Sequence, residues 1–284
     1  DFASLVDKYR DDPKDSLAWA RESLFDITTD QRLDSEERSE RVDRYLDAYF
    51  DLMIKLDHSA FPDTQPGDIR EGVPDYIPDG FVDMGGSSRK ESGLRGREMI
   101  QVDKASILQK YKPFIKGLFS EELGEMPLQK RKSIMFAAIA REVYFSMPYS
   151  NKNLGGGMVP LSQIDDAVCR HHALVFQVLA QTLGLKSQIL KSYVATNGDS
   201  LVERHSTNLV RLNGQWHILD STGPDSIKNS SGKYEWRPGV FEIDGPPIDG
   251  ERKEWEVTTK HSGQKRTYIA HDHMYWFIEK IPKL

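Results

Sequence analysis

A single cysteine, Cys169, occurs in 284 residues. That excludes an internal disulfide and a cysteine-rich zinc site. No apolar run approaches the roughly 18 residues that would span a bilayer. No signal peptide is visible, and since the first residue is Asp1 rather than Met, a leader or upstream domain stays open. Gly155-Gly156-Gly157 is not followed by Gly-Lys-Ser/Thr, so it is no phosphate-binding loop. Basic residues are in deficit, 38 against 44 acidic ones for a net charge of −6, which speaks against a nucleic-acid partner. There is no internal repeat or low-complexity tract. Compartment and oligomeric state are left open, and Asn229-Ser230-Ser231 fits the glycosylation sequon.

Aromatics are plentiful: five Trp, eleven Tyr and twelve Phe, within a hydrophobic fraction of 38%, describe a globular chain with a sizeable core. The first part reads as helical. Leu17, Trp19, Ala20, Leu24 and Phe25 follow Asp15 and Ser16. A longer helix is expected from Ser35 through Val42, Tyr45, Leu46, Tyr49, Phe50, Met53 and Ile54, where apolar positions recur at three and four. Residues 61–98, with four prolines, Gly85-Gly86 and the charged stretch Arg89 to Glu98, read as a long loop with a solvated surface. Helical pattern returns over Ile107–Phe119 and from Leu128 through Tyr144. From Ser187 onward the signal turns to strands: Gln188–Ala195, Thr207–Leu212, Gln215–Leu219, Val240–Ile243, Trp255–Thr259 and Arg266–Ile269, with Tyr275–Ile281 a strand or short helix. Helices first and strands later predict an α+β fold with an antiparallel sheet. The pattern divides near residue 125, into a helical region 1–125 and a core 126–284.

The spacing builds a site. Cys169, His172, Ala173, Phe176, Leu179, Ala180 and Leu183 share one helix face, with Gly184 as a natural stop. Cys169 then falls in the first turn, where free N–H groups and the helix dipole favour thiolate. Asn213-Gly214 between two alternating apolar segments is a hairpin signal. A two-residue turn sets Leu212 opposite Gln215 and Thr207 opposite Asp220. His205 and Asp220 become diagonal neighbours, about 7–8 Å apart at the backbone and within side-chain reach. Asp220 would orient one nitrogen of His205, and the other would take the proton of Cys169.

This order resembles the transglutaminase-like superfamily, papain-like in the broad sense. The matching residues are Cys169-Arg170-His171-His172-Ala173-Leu174, Leu183-Gly184-Leu185 and Gly214-Gln215-Trp216-His217-Ile218-Leu219-Asp220-Ser221-Thr222. The last stretch is similar to the family's Gly-x-Trp-hydrophobic-Asp-x-Thr strand. Cys-Arg-His also resembles the transglutaminase-like regions that precede certain plant kinase domains. There are two departures from the pattern: Ser206 and Thr207 follow the histidine, where an aromatic two residues on is common, and Ala167 stands where glycine is common two before the cysteine. The resemblance implies a transglutaminase-like core carrying a catalytic triad of Cys169, His205 and Asp220. It also implies an oxyanion donor. The backbone N–H of Cys169 is one candidate, and Gln163 sits where papain-like enzymes carry a glutamine for this purpose. An ordinary loop amide is the alternative for Gln163.

Two rivals use the same residues. His171, His172, His205 and His217 could form a metal site with Cys169, but adjacent helical histidines point about 100° apart, so only one can join the cysteine. His271-Asp272-His273 is a second cation candidate, or a solvated loop. Alternatively, the chain is a catalytically inactive transglutaminase-like interaction module; the filled Cys, His and Asp positions favour an enzyme. The expectation is therefore a thiol-dependent acyl-transfer enzyme acting on an amide of a protein or peptide, with no cofactor and no metal. Hydrolysis (protease, amidase or deamidase) is favoured over amine crosslinking, because no Asp- and Asn-dense calcium loop is present.

Overall fold

The computed structural model describes residues 13–60, 76–83, 98–150, 157–197, 203–247 and 252–271. Two helices open it, α1 (Pro13–Thr29) and α2 (Ser35–Ala60). Asp34 Oδ1 accepts the N–H of Glu37 at 2.8 Å, which satisfies one of the donors left free where α2 begins. The expected stripe of α2 is the buried one, with Val42, Leu46, Tyr49, Phe50 and Met53 all turned inward. The single helix expected over Ile107–Phe119 is instead two, α3 (Lys104–Lys110) and α4 (Lys112–Leu118). Pro113 accounts for the break: it has no N–H to return to α3, and the first turn of α4 needs none. A one-turn α5 (Glu121–Gly124) then leads to α6 (Leu128–Ser146).

Three short strands, β1 (Val82–Asp83), β2 (Met99–Gln101) and β3 (Met158–Pro160), form a small sheet in which β2 and β3 run parallel. Within the stretch 61–98, expected as one loop, the Arg and Lys residues lie outside the described residues, but Val82–Asp83 is instead a strand and Val82, Asp83 and Glu98 are buried. The cause is Arg170. Its buried guanidinium lies 2.6 Å from Glu98 Oε1 and 3.8 Å from Asp83 Oδ1, and a buried cation demands such partners. Residues 61–75 and 84–97, Gly155 and Gly156, Asp272 and His273, and the expected element Tyr275–Ile281 lie outside the described residues.

After a 3₁₀ turn at Leu161–Gln163 comes the central helix α7 (Cys169–Thr182). Gly184 follows it at φ +67°, a left-handed conformation that glycine adopts at little cost, and so ends the helix. The remaining strands are β4 (Ser187–Thr196), β5 (Glu203–Leu212), β6 (Gln215–Asp220), β7 (Ile227–Lys228), β8 (Tyr234–Glu235), β9 (Gly239–Ile243), β10 (Arg252–Thr258) and β11 (Lys265–His271). Six of them make an antiparallel sheet ordered β10-β11-β4-β5-β6-β9, with β7 and β8 a separate hairpin. Mixed helices and an antiparallel sheet are thus what the sequence pattern predicts.

The sheet is buried on both faces. Ile189, Val210 and Leu219 join the larger core, which α1, α2, α6 and α7 also fill. Their chain neighbours Leu190, Leu209 and Ile218 point the other way, into a smaller core with Phe241, Trp255 and Tyr268. The edge strands β9 and β10 approach one another, and Trp255 Nε1 donates to Asp244 Oδ1 at 3.0 Å across the gap. The larger core runs without interruption across residue 125, from Ala20 and Leu24 to Val210 and Leu219. Among the described residues no helix is long and apolar enough to cross a membrane.

Candidate active site

The β5–β6 hairpin sets the geometry. Asn213 has φ 50° and Gly214 φ 83°, the two positive values that a tight two-residue hairpin turn requires. Leu212 therefore stands opposite Gln215, and the register continues to Asn208 opposite Leu219. That register carries His205 and Asp220 to diagonal positions, and His205 Nε2 lies 2.7 Å from Asp220 Oδ2. With Nε2 engaged, the nitrogen left for the cysteine is Nδ1.

Cys169 is the first residue of α7 and is partly exposed. The His205 imidazole and the Ser206 backbone are the hydrogen-bonding groups that act on its thiol's ionisation. Burial alone would push the thiol up. The His205 charge, the two hydrogen bonds and the Lys191 ammonium outweigh it and bring the thiol below its ordinary 9.0. Burial works against the protonated form of His205 as well. The Asp220 and Cys169 charges, with the hydrogen bonds to both, prevail and raise the imidazole from 6.5 to about 10. Once the lowered thiol has ionised, and below about 10, the pair is thiolate and imidazolium.

Asp220 is fully buried, and burial favours its neutral form. The His205 charge leads the opposing causes and holds the carboxylate well below its usual range. Four donors meet its two oxygens. Oδ1 accepts the N–H of Thr222 at 3.0 Å and its hydroxyl at 2.5 Å. Oδ2 accepts from His205 and from the Tyr268 hydroxyl at 3.0 Å. Thr222 belongs to the Asp-x-Thr pattern, and its role is now visible: it pins the carboxylate two residues before it. Tyr268 escaped the sequence reading. It comes from β11, and only the pairing of Tyr268 with Val194 on β4 delivers it to this point.

The remaining predicted residues go elsewhere. Gln163 ends the 3₁₀ turn and is exposed, and among the described residues it makes no hydrogen bond to Cys169, His205 or Asp220. The four histidines proposed for a metal face four separate partners. His171 Nε2 stands 3.3 Å from Glu98, His172 Nε2 donates to the Met147 carbonyl at 2.8 Å, and His217 Nδ1 lies 3.2 Å from the Gln215 carbonyl. Among the described residues no three His, Cys, Asp or Glu side chains are grouped as a metal would need.

An acidic–basic cluster surrounds the start of α7. Arg170 Nη2 donates to the Glu98 carbonyl at 2.7 Å and to its carboxylate at 2.6 Å. Lys191 Nζ, on β4 opposite Ser206, donates to Asp83 Oδ2 at 2.6 Å. These groups also lay beyond the sequence reading, because Asp83 and Glu98 reach α7 through the small sheet.

Residues 122–221 match a family model described as EDR1/CTR1/ARMC3, peptidase-like. The match takes in Cys169, His205 and Asp220 and covers less than half of the chain. None of the curated proteins compared matches. A solved structure from Cytophaga hutchinsonii, provisionally described as a cysteine protease, is 11% identical at a TM-score of 0.27, over 56% of this chain and 58% of that one. The chain thus spans just over half of that relative, and a likeness so slight leaves the fold to rest on the chain's own geometry.

Proposed function

We propose that this chain is a thiol-dependent acyl-transfer enzyme with a transglutaminase-like core in 126–284, supported by the helical region 1–125. Its substrate is an amide of a protein or peptide. Cys169 is the nucleophile, His205 the base and acid, and Asp220 the group that orients His205. The observation that carries this reading is the 2.7 Å contact of His205 Nε2 with the buried Asp220 carboxylate, on an imidazole whose charge also acts on the Cys169 thiol at the start of α7.

The reaction follows from the charges. The Cys169 thiolate attacks the amide carbonyl carbon, a C–S bond forms, and the carbonyl electron pair moves onto oxygen. The free N–H of the first helical turn lies at Cys169, where the developing oxyanion needs a donor, and Gln163 is a second candidate from the turn upstream. As the oxyanion collapses, the C–N bond breaks and Nδ1 of His205 gives its proton to the departing amine. A thioester and free amine remain. Water then gives a proton to Nδ1 as its oxygen attacks the thioester; the C–S bond breaks and the acid product leaves. Water is favoured over an amine acceptor because the sequence has no calcium loop of the crosslinking kind.

Alkylation of Cys169 by iodoacetamide, followed against pH in wild type and in His205→Ala, tests the reading. Rapid alkylation well below pH 8 that is lost in the variant supports it. Slow alkylation in both overturns it and leaves the interaction-module alternative.

A further inference from the structure

The site contains a second carboxylate–histidine pair, two residues beyond the nucleophile. His171 is buried, and its Nδ1 accepts the backbone N–H of Val168 at 3.1 Å, so Nδ1 carries no proton. Its Nε2 faces Glu98 Oε1 at 3.3 Å, an oblique contact with a fully buried carboxylate. Val168 is the residue from which α7 starts, in an extended conformation at φ −112° and ψ 175°, and its own side chain offers no cap. The N–H groups of His171 and His172 both return to the Val168 carbonyl, at 2.9 and 3.3 Å. In an ordinary capping box a Glu or Gln at the third helical position reaches back to the N–H of the capping residue. Here the third helical residue is His171, and its imidazole takes that place.

The geometry points to His171 as a positioning residue for the nucleophile, with Glu98 selecting its tautomer. Glu98 favours the proton on Nε2, which leaves Nδ1 to hold Val168. A held Val168 fixes where the helix begins, and so fixes the Cys169 thiol and its backbone N–H against the substrate carbonyl. The charged groups that face this imidazole are Glu98, Arg170 and Asp83, with His172 beside it. Arg170 Nη2 donates to the same oxygen, Oε1, at 2.6 Å, so the carboxylate is held in place as well as charged. The inference rests on the proposed role of Cys169, and its chemistry differs from the triad's: His205 moves a proton, whereas His171 keeps one.

Two variants of similar size separate positioning from packing. His171→Gln restores an acceptor at the capping-box position, and His171→Met has none; both lose the Glu98 contact. We expect His171→Met to alkylate at Cys169 roughly five- to tenfold more slowly than wild type at neutral pH, with the pH midpoint moved upward. His171→Gln should recover most of that rate. Equal rates and midpoints in Gln, Met and wild type, with only the melting temperature changed, overturn the inference. Should His171→Met fail to fold, the wild-type imidazole ¹H–¹⁵N spectrum decides: a proton on Nε2 alone supports the inference, and a proton on Nδ1 ends it. Slow alkylation in wild type that His205→Ala leaves unchanged would instead remove the thiol-enzyme reading, whatever the tautomer of His171.

Discussion

Tyr268 donates its phenolic proton to Asp220 Oδ2 at 3.0 Å, the same oxygen that faces His205 Nε2. The two donors share one oxygen of a fully buried carboxylate, so each limits where the other can sit. Removing the hydroxyl alone keeps the ring and its contacts with Phe241 and His205. Tyr268→Phe should lower the alkylation rate of Cys169 about tenfold, the equivalent of one lost hydrogen bond to a charged group. Alkylation kinetics beside a melting curve check this. An unchanged rate would mean that Thr222 and His205 suffice to hold Asp220.

Asp220→Asn should be costly although the shapes match. All four donors point at carboxylate oxygens, two at each. An amide has one oxygen, so its NH₂ must face two of these donors wherever it is turned. The expected loss is about 2–4 kcal/mol of stability, measured by denaturant unfolding. A loss under roughly 0.5 kcal/mol would show that the donors rearrange freely.

His205 and Cys169 should also write themselves into the pH dependence of stability. The imidazole is raised from 6.5 to about 10, so its contribution is full below 6.5 and is lost as pH rises through about 10. The thiol is lowered from 9.0, so its contribution is present above 9.0 and is lost as pH falls through its folded value. The two act together. Once the folded thiol has ionised, folded and unfolded pairs each hold one proton between 6.5 and 9.0, and the stability they give is flat there. In Cys169→Ala only the imidazole remains, still raised by Asp220, and stability should fall steadily from pH 6.5 upward. Unfolding midpoints from pH 5 to 10 in both proteins test this; parallel curves would contradict the coupling.

The parts of this site that could be read in the sequence are those set by local rules. Asn213-Gly214 fixes a two-residue turn, the turn fixes the register, and the register brings His205 to Asp220. The apolar face of α7 and the stop at Gly184 put Cys169 at the helix start by the same local logic. Tyr268 was illegible because nothing near it in the chain says that β11 lies between β10 and β4. Glu98 was illegible for a different reason. It closes a run of charges that looks solvated, and its burial is decided by Arg170, 72 residues away. Pro113 was a local signal passed over, and it splits a helix that carries none of the site's residues.

The place of β11 in the sheet also orders the assembly of the molecule. Synthesis delivers β4, β5 and β6 long before β10 and β11, so on the growing chain the Tyr193–Thr196 end of β4 is an edge with unpaired backbone groups. The late hairpin covers that edge and, in the same movement, brings Tyr268 to Asp220. Protection of a sticky edge and completion of the site are one folding event, and a chain stalled before it holds a thiol and an imidazole whose anchoring carboxylate still lacks one of its four donors.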